Sequence, residues 1–119
     1  MCGHKLECHG IVLRAVIRRS DVDQDSGRIL ARAFLLRQNE QGLSVNYECT
    51  PQECAAQFKK CHGVASLHVG RVRNLGLDVV PDEPHHANIL GLPHRDDDPA
   101  TAERMARLLL AQARLVWQR

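Results

Sequence analysis

Three short stretches place polar side chains at every second position: LSVNY over Leu43–Tyr47, VASLHV over Val64–Val69 and HANIL over His86–Leu90. Alternate residues of a β-strand share one face. Ser44 and Asn46 would therefore lie together, as would Ser66 and His68, and His86 and Asn88. The positions between them are apolar: Leu43, Val45 and Tyr47; Ala65, Leu67 and Val69; Ala87 and Ile89. If these strands are neighbours, one sheet face is greasy and the other offers two histidines, two asparagines and two serines. With Arg14 added, such a face can hold a small anionic ligand or run acid–base chemistry through an imidazole. The ligand-binding set expected from the sequence is Arg14, Ser44, Asn46, Ser66, His68, His86 and Asn88, with His68 and His86 as the catalytic candidates. The plainer account is that the outer face of an antiparallel sheet is polar anyway. Solvated faces favour Thr, Lys and Glu, however, whereas these positions are small, neutral or His. No carboxylate partner for either histidine is readable from the pattern.

Two cysteine groups are the other candidates. Cys2, His4, Cys8 and His9 put four metal-capable side chains near the start, but adjacent Cys8 and His9 chelate one ion awkwardly. Cys54, Phe58 and Cys61 share one face at helical spacing, which is the signature of a core stripe, with Cys49 and His62 alongside. His85, His86 and His94 with Asp82, Glu83 and Asp96 to Asp98 form a third group, whose carboxylates read as solvated loop charges. No metal and no cofactor is assigned.

The elements that must position these residues are mostly readable. Ile11 to Arg18 is a strand rich in β-branched residues, with Arg14 and Arg18 on one face and Leu13, Ala15 and Ile17 on the other. Ser20 to Arg28 forms turns, and Ile29 to Leu36 fits a strand or a short helix. Thr50-Pro51-Gln52-Glu53 opens a helix with a capping box, running to about Cys61. Gly70 to Leu75 fits a helical turn, Leu77 to Val80 a short strand, and Pro81 to Pro84 a turn. Asp98 and Pro99 start an amphipathic helix on which Ala102, Met105, Ala106, Leu109, Ala113 and Val116 recur, so the helix is expected over 99–117. The expected fold is α+β: a mainly antiparallel sheet of four to six strands, with the C-terminal helix and the shorter 51–61 helix packed on one face.

One domain over 1–119 accounts for the chain, with 1–10 expected to be a flexible segment. Hydrophobic residues are 44% and charged residues 25%, which excludes a disordered chain, and no apolar run is long enough to span a membrane. A net charge of +2 and only 3% aromatic residues argue against nucleic acid. Lysine appears only at Lys5, Lys59 and Lys60, and the resulting arginine bias favours an anionic partner. An odd cysteine count without an export signal places the protein in the cytoplasm with reduced thiols. On the expected C-terminal helix, Leu108, Leu110, Leu115 and Trp117 lie outside the core stripe. A helix apolar on more than one face must be covered on more than one, so a homodimer through Leu110 and Trp117 is expected.

The segments RAFLLRQNEQGLSVN, GVASLHVGRVRNLGLDVVPD and HHANILGLP, within Val12 to Ala87 and its flank, resemble a family of small hypothetical proteins of bacterial genomes. That resemblance implies a bacterial protein and carries over no catalytic residue. Arg14 and Ser44 also resemble the early-strand basic residue and later-strand serine of the ADP-ribosyltransferase-like fold, which line a nicotinamide dinucleotide cleft. The acidic residue and aromatic clamp of those enzymes have no counterpart here. The function expected is a small binding or accessory module, of the kind carried on mobile elements. The alternative is a small enzyme with a histidine acid–base residue on the polar sheet face.

Overall fold

The computed structural model describes residues 6–119, and it orders six strands as β4-β5-β2-β1-β3-β6 with every neighbouring pair antiparallel. The strands are β1 (Ile11–Val16), β2 (Leu43–Tyr47), β3 (Gly63–His68), β4 (Asp78–Glu83), β5 (His86–Leu90) and β6 (Arg114–Gln118). Three helices, α1 (Pro51–Ala56), α2 (Val69–Asn74) and α3 (Pro99–Gln112), punctuate them, with two 3-10 turns at Arg19–Asp21 and Ala31–Phe34. The α+β class and the antiparallel sheet agree with the sequence pattern.

Alternation along the strands divides the apolar side chains between two cores. Val12, Val16, Leu43, Val45, Leu67, Val79 and Ile89 face α3, which contributes Met105, Ala106 and Leu109, and the turn carrying Phe34 closes the layer. The other face holds a smaller cluster in which Leu13, Ala15 and Val64 meet Cys54, Ala55 and Cys61. The two helices expected on one face thus lie on opposite faces. The capping box that starts α1 is complete: the Glu53 N–H donates to Thr50 Oγ1 at 3.1 Å, and the Thr50 N–H donates to Glu53 Oε1 at 2.8 Å. The N-terminal stretch expected to be flexible is hydrogen-bonded to α2 from Cys8 onward, the Gly70 N–H donating to the Cys8 carbonyl at 2.7 Å.

The C-terminal helix stops at Gln112, short of the expected 117. Ala113 takes extended backbone angles and residues 114–118 become β6, which pairs along the free edge of β3. The physical reason lies in the side chains that made the long helix implausible by itself. As a strand, the segment places Trp117 opposite Val64 and against the α1-side core, while Leu110 packs on the α3-side core. Leu110 and Trp117 therefore stand on two different elements, each half-buried against its own chain, rather than on one helical face. Among the described residues, no helix is long and apolar enough to cross a membrane.

Two outcomes follow from this packing. Trp117→Ala should lower the unfolding free energy by about 2 kcal/mol through its contact with the α1-side core, with a urea midpoint that does not change when protein concentration is raised about tenfold; a midpoint that climbs with concentration would assign part of the loss to a second copy. Burial pushes the Cys54 thiol up to about 12 and raises that of Cys61, and both side chains are buried, whereas Cys8 is exposed. Iodoacetamide should accordingly label Cys8 in the native protein and spare Cys54 and Cys61 until denaturant is added, as read by mass spectrometry.

Candidate functional site

Arg14 sits in the middle of β1 with its side chain on the α3-side face, between Val12 and Val16. A guanidinium there needs partners, and it takes two backbone carbonyls: Nε donates to Ala33 O at 3.1 Å and Nη1 to Ser44 O at 2.9 Å. The second of these is available because β1 and β2 pair only at Val12–Tyr47 and Leu13–Asn46. Beyond that point the strands diverge, β1 following β3 and β2 following β5. A cleft of about 440 Å³ opens at the divergence, and Arg14, Arg18, Asp21, Arg37, Glu40, Ser44, Asn46 and His86 are among the residues lining it. Arg14 Nη2 has no hydrogen-bond partner among the described residues.

The electrostatics follow from depth. Desolvation draws the Arg14 guanidinium below its ordinary value, opposed by the Glu40 and Asp21 carboxylates. Asp21 is buried, and loss of water raises its carboxyl above the usual range even though Arg14, Arg18 and Arg32 pull it down. Its Oδ2 is held by Arg37 Nη2 at 2.9 Å. Glu40 accepts the Arg37 backbone N–H at 2.7 Å, so both carboxylates already have work inside the framework.

His86 approaches the cleft from β5. Its Nδ1 is 2.6 Å from Asp82 Oδ1, and the other oxygen of the same carboxylate accepts from Asn88 Nδ2 at 2.9 Å. Those hydrogen bonds and the imidazole's charge hold the Asp82 carboxyl below its ordinary value. Asp82 is the extra residue of a β-bulge, where Pro81 opposes Ala87 and Glu83 opposes His86. With Nδ1 engaged, the ring's Nε2 has no hydrogen bond among the described residues.

Register shows which expected residues meet. Ser44 lies opposite Asn88, and Asn46 opposite His86. Ser66 and His68 share that face but sit on β3, with β1 and its Leu13 and Ile11 between them and β2. His68 caps α2, its Nδ1 accepting the Arg71 N–H at 3.3 Å, and is spent there. Asn46 is framework too: Nδ2 donates to His85 O at 3.1 Å and Oδ1 accepts from Cys54 Sγ at 3.5 Å. Arg14 points to the opposite face from the one expected; it reaches the cleft only because the strands part. Asp21 and Arg37 were missed, and Asp82, grouped with His86 in the sequence only as a metal candidate, is the carboxylate partner of that histidine.

The metal candidates do not converge. Cys2 and His4 lie outside the described residues, His9 is exposed beside Glu7, and His94 contacts the Glu40 carbonyl. Asp98 caps α3 by accepting the Thr101 N–H. Among the described residues, no group of three His, Cys, Asp or Glu side chains forms a metal site.

The raised Asp21 carboxyl has a direct consequence for stability. A carboxyl whose folded value exceeds its unfolded one stabilises the fold while protonated, and that contribution is lost as pH rises through the folded value. The urea midpoint of the wild type relative to Asp21→Asn should therefore be larger at about pH 4 than at about pH 6.5. A relative midpoint that grows with pH would mean the Arg37 ion pair outweighs burial. Comparison of the chain with protein-family models, with curated proteins and with solved structures finds no match in any of the three.

Proposed function

We propose that this chain is a small binding module for an anionic ligand, received in the cleft between β1 and β2 and anchored by Arg14. The observation that carries the reading is the state of the Arg14 fork. Two carbonyls fix its plane, the side chain is half-buried, and Nη2 has no hydrogen-bond partner among the described residues. A pre-oriented, partly desolvated guanidinium is what carboxylate and phosphate recognition uses. The lining charges leave a surplus of one cation, with Arg14, Arg18 and Arg37 against Asp21 and Glu40. The lining holds one aromatic side chain, Phe58, which gives little surface for stacking a nucleobase.

A second reading, a small enzyme using His86 as its acid–base residue, is favoured by the Asp82–His86 contact, since a carboxylate on Nδ1 fixes the tautomer that leaves Nε2 to face a ligand. The wider expectations of an accessory role and of a two-fold dimer stay with the proposal as properties to be measured, the second by light scattering.

Titration with sodium acetate and with inorganic phosphate, followed by amide NMR at neutral pH, should move the signals of Ala33, Arg14 and Ser44 together. Arg14→Lys keeps the charge but loses the fork, and should weaken binding by about tenfold. An unmoved cleft at high concentrations of both anions would sink the proposal.

A further inference from the structure

We infer that the cleft takes a small dianion, of the kind a dicarboxylate or a phosphate monoester presents, and that His86 completes its charge by binding a proton, so that ligand binding and proton uptake are linked. The inference rests on the anion-binding reading above and adds the second anchor. Arg14 from β1 and His86 from β5 line the same cleft, and each has a donor-capable nitrogen, Nη2 and Nε2, without a hydrogen-bond partner among the described residues. The charges lining the cleft are three arginines and two carboxylates, a surplus of one positive charge while His86 is neutral. Protonated His86, its charge partly balanced by Asp82 on Nδ1, stands with Arg14 as the second cationic anchor, one for each charged end of a dianion.

The groups that face the imidazole from every side are few. Asp82 and Glu83 lie on β4, with Asp82 in contact at Nδ1 and outside the lining of the cleft. Asn46 is its register partner on β2, and Gln57 and Phe58 after α1 bring no charge. Arg14 and Arg18, near the end of β1, and Asp21, Arg37 and Glu40 complete the wall. Asp82 acts as a positioning residue: because its carboxylate occupies Nδ1, an incoming anion meets Nε2. A histidine side chain changes charge within the range between about pH 5 and pH 8, so an anion held by Arg14 alone and one held by both groups differ in their pH dependence.

Calorimetric and NMR titrations of the full chain with succinate and malonate, using acetate as the monoanion control, separate the possibilities. Affinity for at least one dicarboxylate should fall by about tenfold between about pH 6 and pH 8, acetate affinity by less than about twofold. In His86→Gln, the dicarboxylate should bind with the wild type's high-pH affinity at both pH values. The imidazole Nε2 signal should shift on binding, and proton uptake should appear as a dependence of the measured heat on buffer ionisation enthalpy. Dicarboxylates that perturb the cleft equally at both pH values would overturn the proton linkage and leave the anion site standing. Absence of binding by all three anions would overturn both.

Discussion

The half-buried guanidinium of Arg14 sets the geometry of this sheet. A guanidinium on the core face of a central strand is costly unless its donors are met, because the desolvation of an unpaired charge exceeds any gain from packing its stem. Arg14 meets the requirement with backbone carbonyls rather than a direct carboxylate contact. One of these, Ser44 O, could not serve it if β1 and β2 continued their ladder, because antiparallel pairing would direct it to a β1 amide. The parting of the two strands and the burial of Arg14 are thus one arrangement. The cleft is the space that arrangement leaves, and the Asp21–Arg37 pair with Glu40 forms the wall that balances its charge.

Most of the strands were legible because their side chains alternate. Leu43–Tyr47 and His86–Leu90 appear at the expected boundaries, and the apolar positions read from the middle strands are core residues. The orientation of β1 was not legible, for a reason visible in IVLRAV. Val12 and Val16 enter one core while Leu13 and Ala15 enter the other, so both faces of the strand are apolar. Alternation then correctly separates Arg14 from Leu13 but cannot say which face joins which core. Placing both helices on one face followed from the same gap, since a polar outer face was inferred from β2, β3 and β5, although Cys54 of α1 packs on that face and meets Asn46 of β2.

The C-terminus shows the opposite weakness, a pattern that fits two periods. Through Leu109 the helical spacing is unambiguous, and the predicted stripe of Ala102, Met105, Ala106 and Leu109 is buried. After Ala113 the sequence RLVWQ satisfies a helix and a strand equally by composition, and the free edge of β3 decides it by offering backbone partners. The new edge is irregular: between Val64 and Ala65 the register shifts, so that Trp117 and Leu115 are paired while Val116 is carried as an extra residue. A bulge on an outer strand twists it and spoils its use as a template for another chain. Leu115 and Val116, exposed on that strand, are thereby kept from forming a flat apolar ribbon.

The same logic at the opposite edge explains why the role of Asp82 as partner of His86 was hidden. Pro81 reads as the start of a turn, since proline cannot donate to a ladder, and a turn there puts Asp82 outside any strand parity. On an edge strand, however, the missing N–H costs nothing if it faces away from the neighbour. The strand β4 runs straight through Pro81 to Glu83, and the bulge at Asp82 lets one carboxylate span both His86 and Asn88 across the pair. An edge position is therefore what converts an unremarkable Pro-Asp-Glu-Pro turn sequence into the group that orients the histidine. Because edge status depends on where every other strand goes, no local reading of residues 81–84 could have supplied it.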